Sequence, residues 1–186
     1  MTLYIKNMVS LRCKLLVKDL LEQRGILHSP VELGEVQILS AISDTEMEQL
    51  GQSLISSGFE LLKDKKSILV ERIKSIIIDM VHLEGGFPGI NFSAYLTGKL
   101  HYDYTYLANV FSEVKGSTIE RYIITNKIER AKELLEYNEL TLTEISYKLN
   151  YSSVAHLSAQ FKKVTGQSPT GFKKQRHKNR NMLEDL

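Results

Sequence analysis

The apolar positions of this chain change their period near its middle. Leu3-Tyr4-Ile5 predicts a short strand, and Leu11 to Arg24, with Leu15, Leu16, Leu20 and Leu21 at helical spacing, predicts a helix. Val31 to Leu33 and Val36 to Leu39 predict two extended segments with a Gly34-Glu35 turn between them. From about Asp44 a second helix carries Met47, Leu50 and Leu54; Gly58 ends it as a left-handed cap residue, and Phe59 to Leu62 predicts a closing strand. A further helix from Ile68 to His82 places Ile73, Ile76, Ile77 and Met80 on one side, which suits a connection between domains or pairing with another copy.

The order β-α-β-β-α-β is that of a ferredoxin-like fold. Beyond it, Glu84-Gly85-Gly86-Phe87-Pro88-Gly89 clusters the breakers of the chain and predicts a linker. The second half of the chain has no strand pattern and repeats itself. Leu107, Phe111, Val114 and Gly116 recur fifty positions on as Leu157, Phe161, Val164 and Gly166, and Tyr122 is echoed by Phe172. Similarity at a fixed period signals a duplicated unit, here a helix, a tight turn and a second helix. In the second copy Thr141 and Glu144 form a capping box, Ile145 and Leu149 face inward, Asn150-Tyr151 turns, and Ser152 or Ser153 caps the next helix. Ile123, Ile124, Ile128, Ala131, Leu134 and Leu135 mark one long helix between the copies. The expected organisation is an α+β ferredoxin-like domain at 1–66, a connecting helix and linker at 67–89, an all-α double helix-turn-helix domain at 90–177 and a tail at 178–186.

Composition narrows the functions open to such a chain. With 186 residues and 42% hydrophobic content it has room for one full domain or two small ones, which excludes large enzyme folds. One cysteine cannot form an internal disulfide or a redox pair, so a reducing, cytoplasmic setting is expected, nucleoid-associated where the protein is bound to DNA. No apolar run approaches the roughly 20 residues that span a bilayer, and the opening MTLYIKNMVS lacks a signal-peptide layout. His28, His82, His101, His156 and His177 share no ligand spacing and Cys13 lies in no activating motif, so neither an enzyme nor a cofactor is expected. Charge is uneven. Residues 1–86 hold ten Lys and Arg against twelve Asp and Glu, and residues 87–186 hold fourteen against ten. Between Glu144 and Glu184 no acid occurs, while Lys148, Lys162, Lys163, Lys173, Lys174, Arg176, Lys178 and Arg180 supply eight bases, a stretch that attracts polyanions or forms a solvated surface and tail.

A helix-turn-helix reads DNA because outward side chains of its second helix meet base edges in the major groove. At 100° per residue, Leu157, Phe161 and Val164 turn inward while Ala155, Ser158, Ala159 and Lys162 turn outward, flanked by His156 and Lys163. In the first copy Thr105, Ala108, Asn109 and Ser112 turn outward, flanked by Tyr106. Asn109 suits two hydrogen bonds to adenine, the alanine and threonine methyls suit thymine methyls, and the lysines suit phosphates. Helix pairs with a polar outer face also build protein-binding bundles, so a helical adaptor without DNA specificity is the alternative.

The run Lys127-Ile128-Glu129-Arg130-Ala131-Lys132-Glu133-Leu134-Leu135, then Thr143-Glu144-Ile145-Ser146, Asn150-Tyr151-Ser152-Ser153 and Phe161-Lys162-Lys163-Val164-Thr165-Gly166-Gln167-Ser168-Pro169, closely resembles the signature of the AraC family of bacterial transcription regulators. The resemblance spans about residues 90–177. It implies two helix-turn-helix units joined by a linker helix, whose recognition helices enter one face of double-stranded DNA about a helical turn apart; RNA polymerase is a further partner open to such a regulator, the apolar face of the 68–82 helix favours a second copy of the chain, and no membrane is expected. Carried over by position, the first recognition helix is Tyr104 to Val114, reading with Thr105 and Asn109. The second is Ser153 to Thr165, with Val154, Ala155, Ser158 and Ala159 at the reading positions. Two departures stand out: Asn150 replaces the common turn glycine, and Ala159 replaces a common arginine, which removes strong guanine reading there. Separately, Asn7-Met8-Val9-Ser10-Leu11-Arg12-Cys13 resembles the copper loop of heavy-metal-associated domains with its first cysteine replaced by Ser10. Cu(I) needs paired thiolates, so no metal site is expected; Ser10 should cap the helix and Cys13 should be a small buried residue. The first domain is then expected to serve dimerisation or effector sensing.

Overall fold

Alternation in β1 (Thr2–Lys6) organises the first part of the protein, a computed structural model that describes residues 1–83 and 91–175. Leu3 and Ile5 are buried while Tyr4 and Lys6 are half-buried, the signature of a strand with one face in a core. β2 (Glu35–Gln37) and β3 (Glu60–Leu62) flank β1 antiparallel in the order β2-β1-β3. Leu3 lies opposite Val36, also buried, and Ile5 opposite Leu61. α1 (Leu11–Glu22) buries Val17 and Leu21, and α2 (Asp44–Ser56) buries Leu50 and Leu54. Each such side chain stabilises the fold by roughly 1.5–3 kcal/mol relative to exposure. At the start of α2 the Ser43 Oγ accepts from the Glu46 N–H while Glu46 Oε2 accepts from the Ser43 N–H at 2.8 Å, a capping box that holds the Glu46 carboxyl below its ordinary range.

The full ferredoxin-like sheet is not present among the described residues. Val31 to Leu33 is not a strand. Only the isolated bridges His28↔Ile38 and Glu32↔Glu35 mark where it would pair. The reason is local: Pro30 has no N–H to give to a ladder, and the Gln37 N–H goes to the Ser29 hydroxyl at 3.2 Å instead of to a backbone carbonyl. Gly34 turns the chain at φ +83, and a Cβ there would come 3.0 Å from the Ser75 hydroxyl, so the glycine serves both the turn and a close approach. In α1 the core residues are Val17 and Leu21, while Leu15 and Leu16, which share its helical spacing, are exposed. Ser10 occupies the N-cap position without capping. Its Oγ lies 3.4 Å from Cys13 Sγ, which is half-buried, so the expected capping bond is replaced by a contact to sulfur and the likeness to a metal loop ends at the sequence.

α3 (Lys65–His82) begins before Ile68 because the Asp64 carboxylate accepts the Ser67 N–H at 2.8 Å. Its buried residues are not confined to one stripe. Leu69, Val70, Ile73, Ile77, Ile78, Met80 and Val81 are buried, and so are Glu71 and Lys74, whose ammonium lies 2.7 and 2.8 Å from the two carboxylate oxygens. Ile76, expected on the apolar side, is half-buried. The described residues form two compact units, residues 1–76 with 113–115, and residues 77–83 and 91–112 with 116–175. The expected linker at Glu84 to Gly89 and the tail at 178–186 lie outside the described residues.

In the second unit every named element is a helix: α4 (Phe92–Leu100), α5 (Tyr104–Lys115), α6 (Ile119–Tyr137), α7 (Leu142–Lys148) and α8 (Val154–Thr165), with residues 169–175 also helical. The duplication seen in the sequence is a duplication of contacts. Gly116 and Gly166 end α5 and α8 in left-handed conformations, with φ 66 and 81, and donate to the Ser112 and Lys162 carbonyls. Phe111 meets Tyr122, and Phe161 meets Phe172, each pair with ring centroids 5.6 Å apart. Val114 and Val164 depart from the expected inward face, since both lie in the last helical turn and are exposed.

Candidate nucleic-acid interface

Capping decides where α5 and α8 begin, and therefore which side chains they present. The Asp103 carboxylate accepts the Thr105 N–H at 2.8 Å and starts α5 at Tyr104. Ser153, rather than Ser152, caps α8 by accepting the His156 N–H at 3.1 Å. The turns before them use left-handed residues, His101 with φ 58 and Asn150 with φ 51, so asparagine takes the glycine-type conformation that its position demands. Ahead of α7 the Thr141 Oγ1 and the Glu144 carboxylate cap each other, with the Thr141 N–H donating at 2.7 Å, and hold the Glu144 carboxyl below its usual range.

On α5, Thr105, Asn109 and Ser112 are exposed and Ala108 is half-buried. On α8, Ala155, His156, Ala159, Lys162 and Lys163 are exposed, Val154 and Ser158 are half-buried, and Ser153 is exposed at the cap. Each helix buries its opposite side: Leu107, Val110 and Phe111 on α5, Leu157 and Phe161 on α8, the latter packed on α6 and α7. The His156 ring is fixed from two directions, with Nδ1 3.0 Å from Ser152 Oγ and its plane edge-on to Tyr151 at 5.2 Å.

Three features were not read from the sequence. Tyr102 and Tyr106 stack at 5.3 Å with 28° between their planes and are each 46% exposed, beside Thr105 and Asn109. Their spacing of four across a helix start was the available signal. Tyr104 donates to the Glu120 carboxylate; burial and that bond push its hydroxyl well above its ordinary pKa and hold Glu120 below its own. On the middle of α6, Lys127 is half-buried with its ammonium 5.1 Å from the Tyr151 ring centre and 5.8 Å from that of Phe92.

Charge differs between the two copies. Residues 141–175 carry Lys148, Lys162, Lys163, Lys173 and Lys174 against Glu144 alone, whereas residues 91–118 carry Lys99 and Lys115 against Asp103 and Glu113. No group of three or more metal-ligating side chains occurs among the described residues, and no helix among them is long and apolar enough to cross a membrane.

Residues 96–175 match a family described as a helix-turn-helix domain. The chain is 32% identical over 81 residues to the Msm operon regulatory protein of Streptococcus mutans, a match covering 44% of this chain and 29% of that protein. It is 38% identical over 68 residues to the F1 operon positive regulatory protein of Yersinia pestis, covering 37% of this chain and 23% of that one. The chain thus spans less than a third of either relative. Among solved structures it is similar to the DNA-binding domain of AdpA in complex with a target DNA, with 17% identity, a TM-score of 0.50, and 64% of this chain and 98% of that one covered. That likeness is one of fold. Residues 96–175 of the second unit form a helix-turn-helix domain.

Proposed function

We propose that this protein binds double-stranded DNA sequence-specifically and regulates transcription, with α5 and α8 entering successive major-groove segments. The observation that carries this is the duplicated unit itself: two capped helices fifty positions apart, each ended by a left-handed glycine and each with a polar, small-residue outer face. The names of the two relatives, both operon regulators, support the same reading. Thr105, Ala108, Asn109 and Ser112 would read bases from the first copy; Val154, Ala155, Ser158 and Ala159 would make methyl and short polar contacts from the second. Ser153, His156, Lys162 and Lys163 would hold phosphates. The excess of lysine in the second copy makes it the stronger anchor, since phosphate contacts dominate affinity.

The first unit would serve self-association or effector sensing. Leu11 and Leu15, one turn apart on α1, expose apolar surface, as does Leu16 further round the helix, which favours a partner for it. The β2-β1-β3 order with β1 central also fits a ferredoxin-like sheet whose second strand is reduced to two bridges. A gel-shift of the full chain on duplex DNA across a salt series, followed by selection from a randomised duplex library, tests the DNA reading. Binding that weakens steeply with salt and enriches two base blocks is expected. Absence of binding at low salt would leave the helical adaptor as the better description.

A further inference from the structure

We infer that Lys127 is a positioning residue whose ammonium, set between the Phe92 and Tyr151 rings, holds the two helix-turn-helix copies at one separation and so sets the spacing of the two base blocks they read. The inference rests on the DNA-binding reading and goes beyond it, since Lys127 lies on the connecting helix and on neither recognition helix.

The geometry reaches into both copies. Phe92 opens α4, the first helix of the first copy, and Tyr151 sits in the turn of the second; their ring centres lie 5.8 and 5.1 Å from the Lys127 Nζ. Nζ also lies 3.5 Å from the carbonyl oxygen of Asn150, the left-handed residue of that turn. A cation is drawn to the faces of aromatic rings, and more strongly where water is excluded. An ammonium between two rings therefore favours one arrangement of the elements that carry them, whereas an apolar side chain of the same length would pack without that direction. Burial pushes the Lys127 ammonium down to about 8, so it remains mostly charged at neutral pH and keeps its attraction to the rings. Tyr151 carries the arrangement onward, because its ring meets the edge of His156 on the outer side of α8.

The consequence for DNA is geometric. One base pair added between the two blocks moves the second by about 3.4 Å along the axis and about 35° around it. A rigid pair of recognition helices rejects such a change; a loosely joined pair follows it.

Two measurements on the full chain test this. In a Cys13→Ser background, nitroxide labels at Ser112→Cys and Ala159→Cys report the separation of α5 and α8 by electron–electron resonance without DNA. A single narrow distance is expected for the parent and for Lys127→Arg, and a broadened one for Lys127→Met and for Phe92→Leu, which leaves the lysine in place. On duplexes carrying the two selected blocks at varied spacing, the parent should favour one spacing by about tenfold over its neighbours. Lys127→Met should reduce that preference to about twofold while binding an isolated block as the parent does. Narrow distances and unchanged spacing preference in both Lys127→Met and Phe92→Leu would overturn the inference. So would an equal loss of single-block and two-block binding in Lys127→Met, which marks a phosphate contact or a fold defect. If no duplex is bound by the parent, the DNA reading fails while the label distances still decide whether the clamp exists.

Discussion

Tyr151 serves the fold with its ring and strains it with its hydroxyl. The ring takes Lys127 on one side and His156 on another, but the hydroxyl is buried without a hydrogen-bond partner among the described residues. Burial pushes that hydroxyl up to about 12, against about 10 for an unfolded tyrosine. Because the folded pKa is the higher, the associated stability is present below pH 10 and is lost as pH rises towards 12. Tyr151→Phe should raise the unfolding free energy at pH 7 by about 1 kcal/mol and flatten its decline above pH 10; urea titrations across pH measure both. A clear loss of stability at pH 7 would mean that the hydroxyl is satisfied in solution. Asn109 and Lys162 divide the labour of recognition. Asn109→Ala should relax preference at one or two base pairs, worth about 1–3 kcal/mol of discrimination. Lys162→Ala should weaken binding to all sequences alike and reduce the salt slope by about one unit. Library selections at several salt concentrations separate the two, and reversed outcomes would mean that the helices are misaligned on DNA. Asn109 is legible in the sequence because helical geometry alone turns it outward; for Tyr151 the sequence shows only a turn position, since nothing local tells that its ring meets Lys127 on α6.

At the scale of elements α3 poses the sharpest question. Glu71 and Lys74 have side chains 9% and 8% exposed, so each relies on the other for its charge. Burial presses the Lys74 ammonium downward in pKa, opposed by the carboxylate beside it. Removing one partner of such a pair strands a buried charge, whereas removing both does not. Glu71→Gln should therefore destabilise the protein by about 3–5 kcal/mol, while Glu71→Leu with Lys74→Met should recover most of that loss in thermal or urea unfolding. Equal losses in the single and double variants would show that the pair matters through its packing. The sequence pattern missed this pair because a charged residue in a helix is read as solvent-facing, and only the surroundings of α3 reveal otherwise. The helix starts divide in the same way: Thr141 and Glu144 announce their capping box, but Ser10 stands at a cap position and bonds elsewhere.

For the whole molecule, each copy in the second unit closes on its own core of Leu107 and Phe111, or Leu157 and Phe161, and this favours folding without the first segment. A fragment from residue 90 onward should fold and bind duplex DNA with steep salt dependence. Circular dichroism with a gel-shift checks both; a folded fragment that ignores DNA at low salt would place the binding determinant elsewhere. The full chain should sediment as more than a monomer at high micromolar concentration, and the fragment as a monomer, if the α1 face and the first unit carry self-association.

The sequence by itself determined the duplicated helical half, because apolar periodicity, caps and left-handed glycines act over a few residues and repeat at a fixed interval. It also placed β1, α1 and α2, whose periods are local. Tertiary structure decided the rest. The segment around Val31 lacks a strand because Pro30 and the Ser29 hydroxyl break its ladder, and Leu15 and Leu16 lie outside because Val17 and Leu21 fill the core. Glu71 and Lys74 are buried together, and Lys127 is held between rings from both copies. These outcomes share one physical cause. Burial and the neighbours of a side chain are properties of the surrounding volume, and residues far apart in the chain bring that volume together.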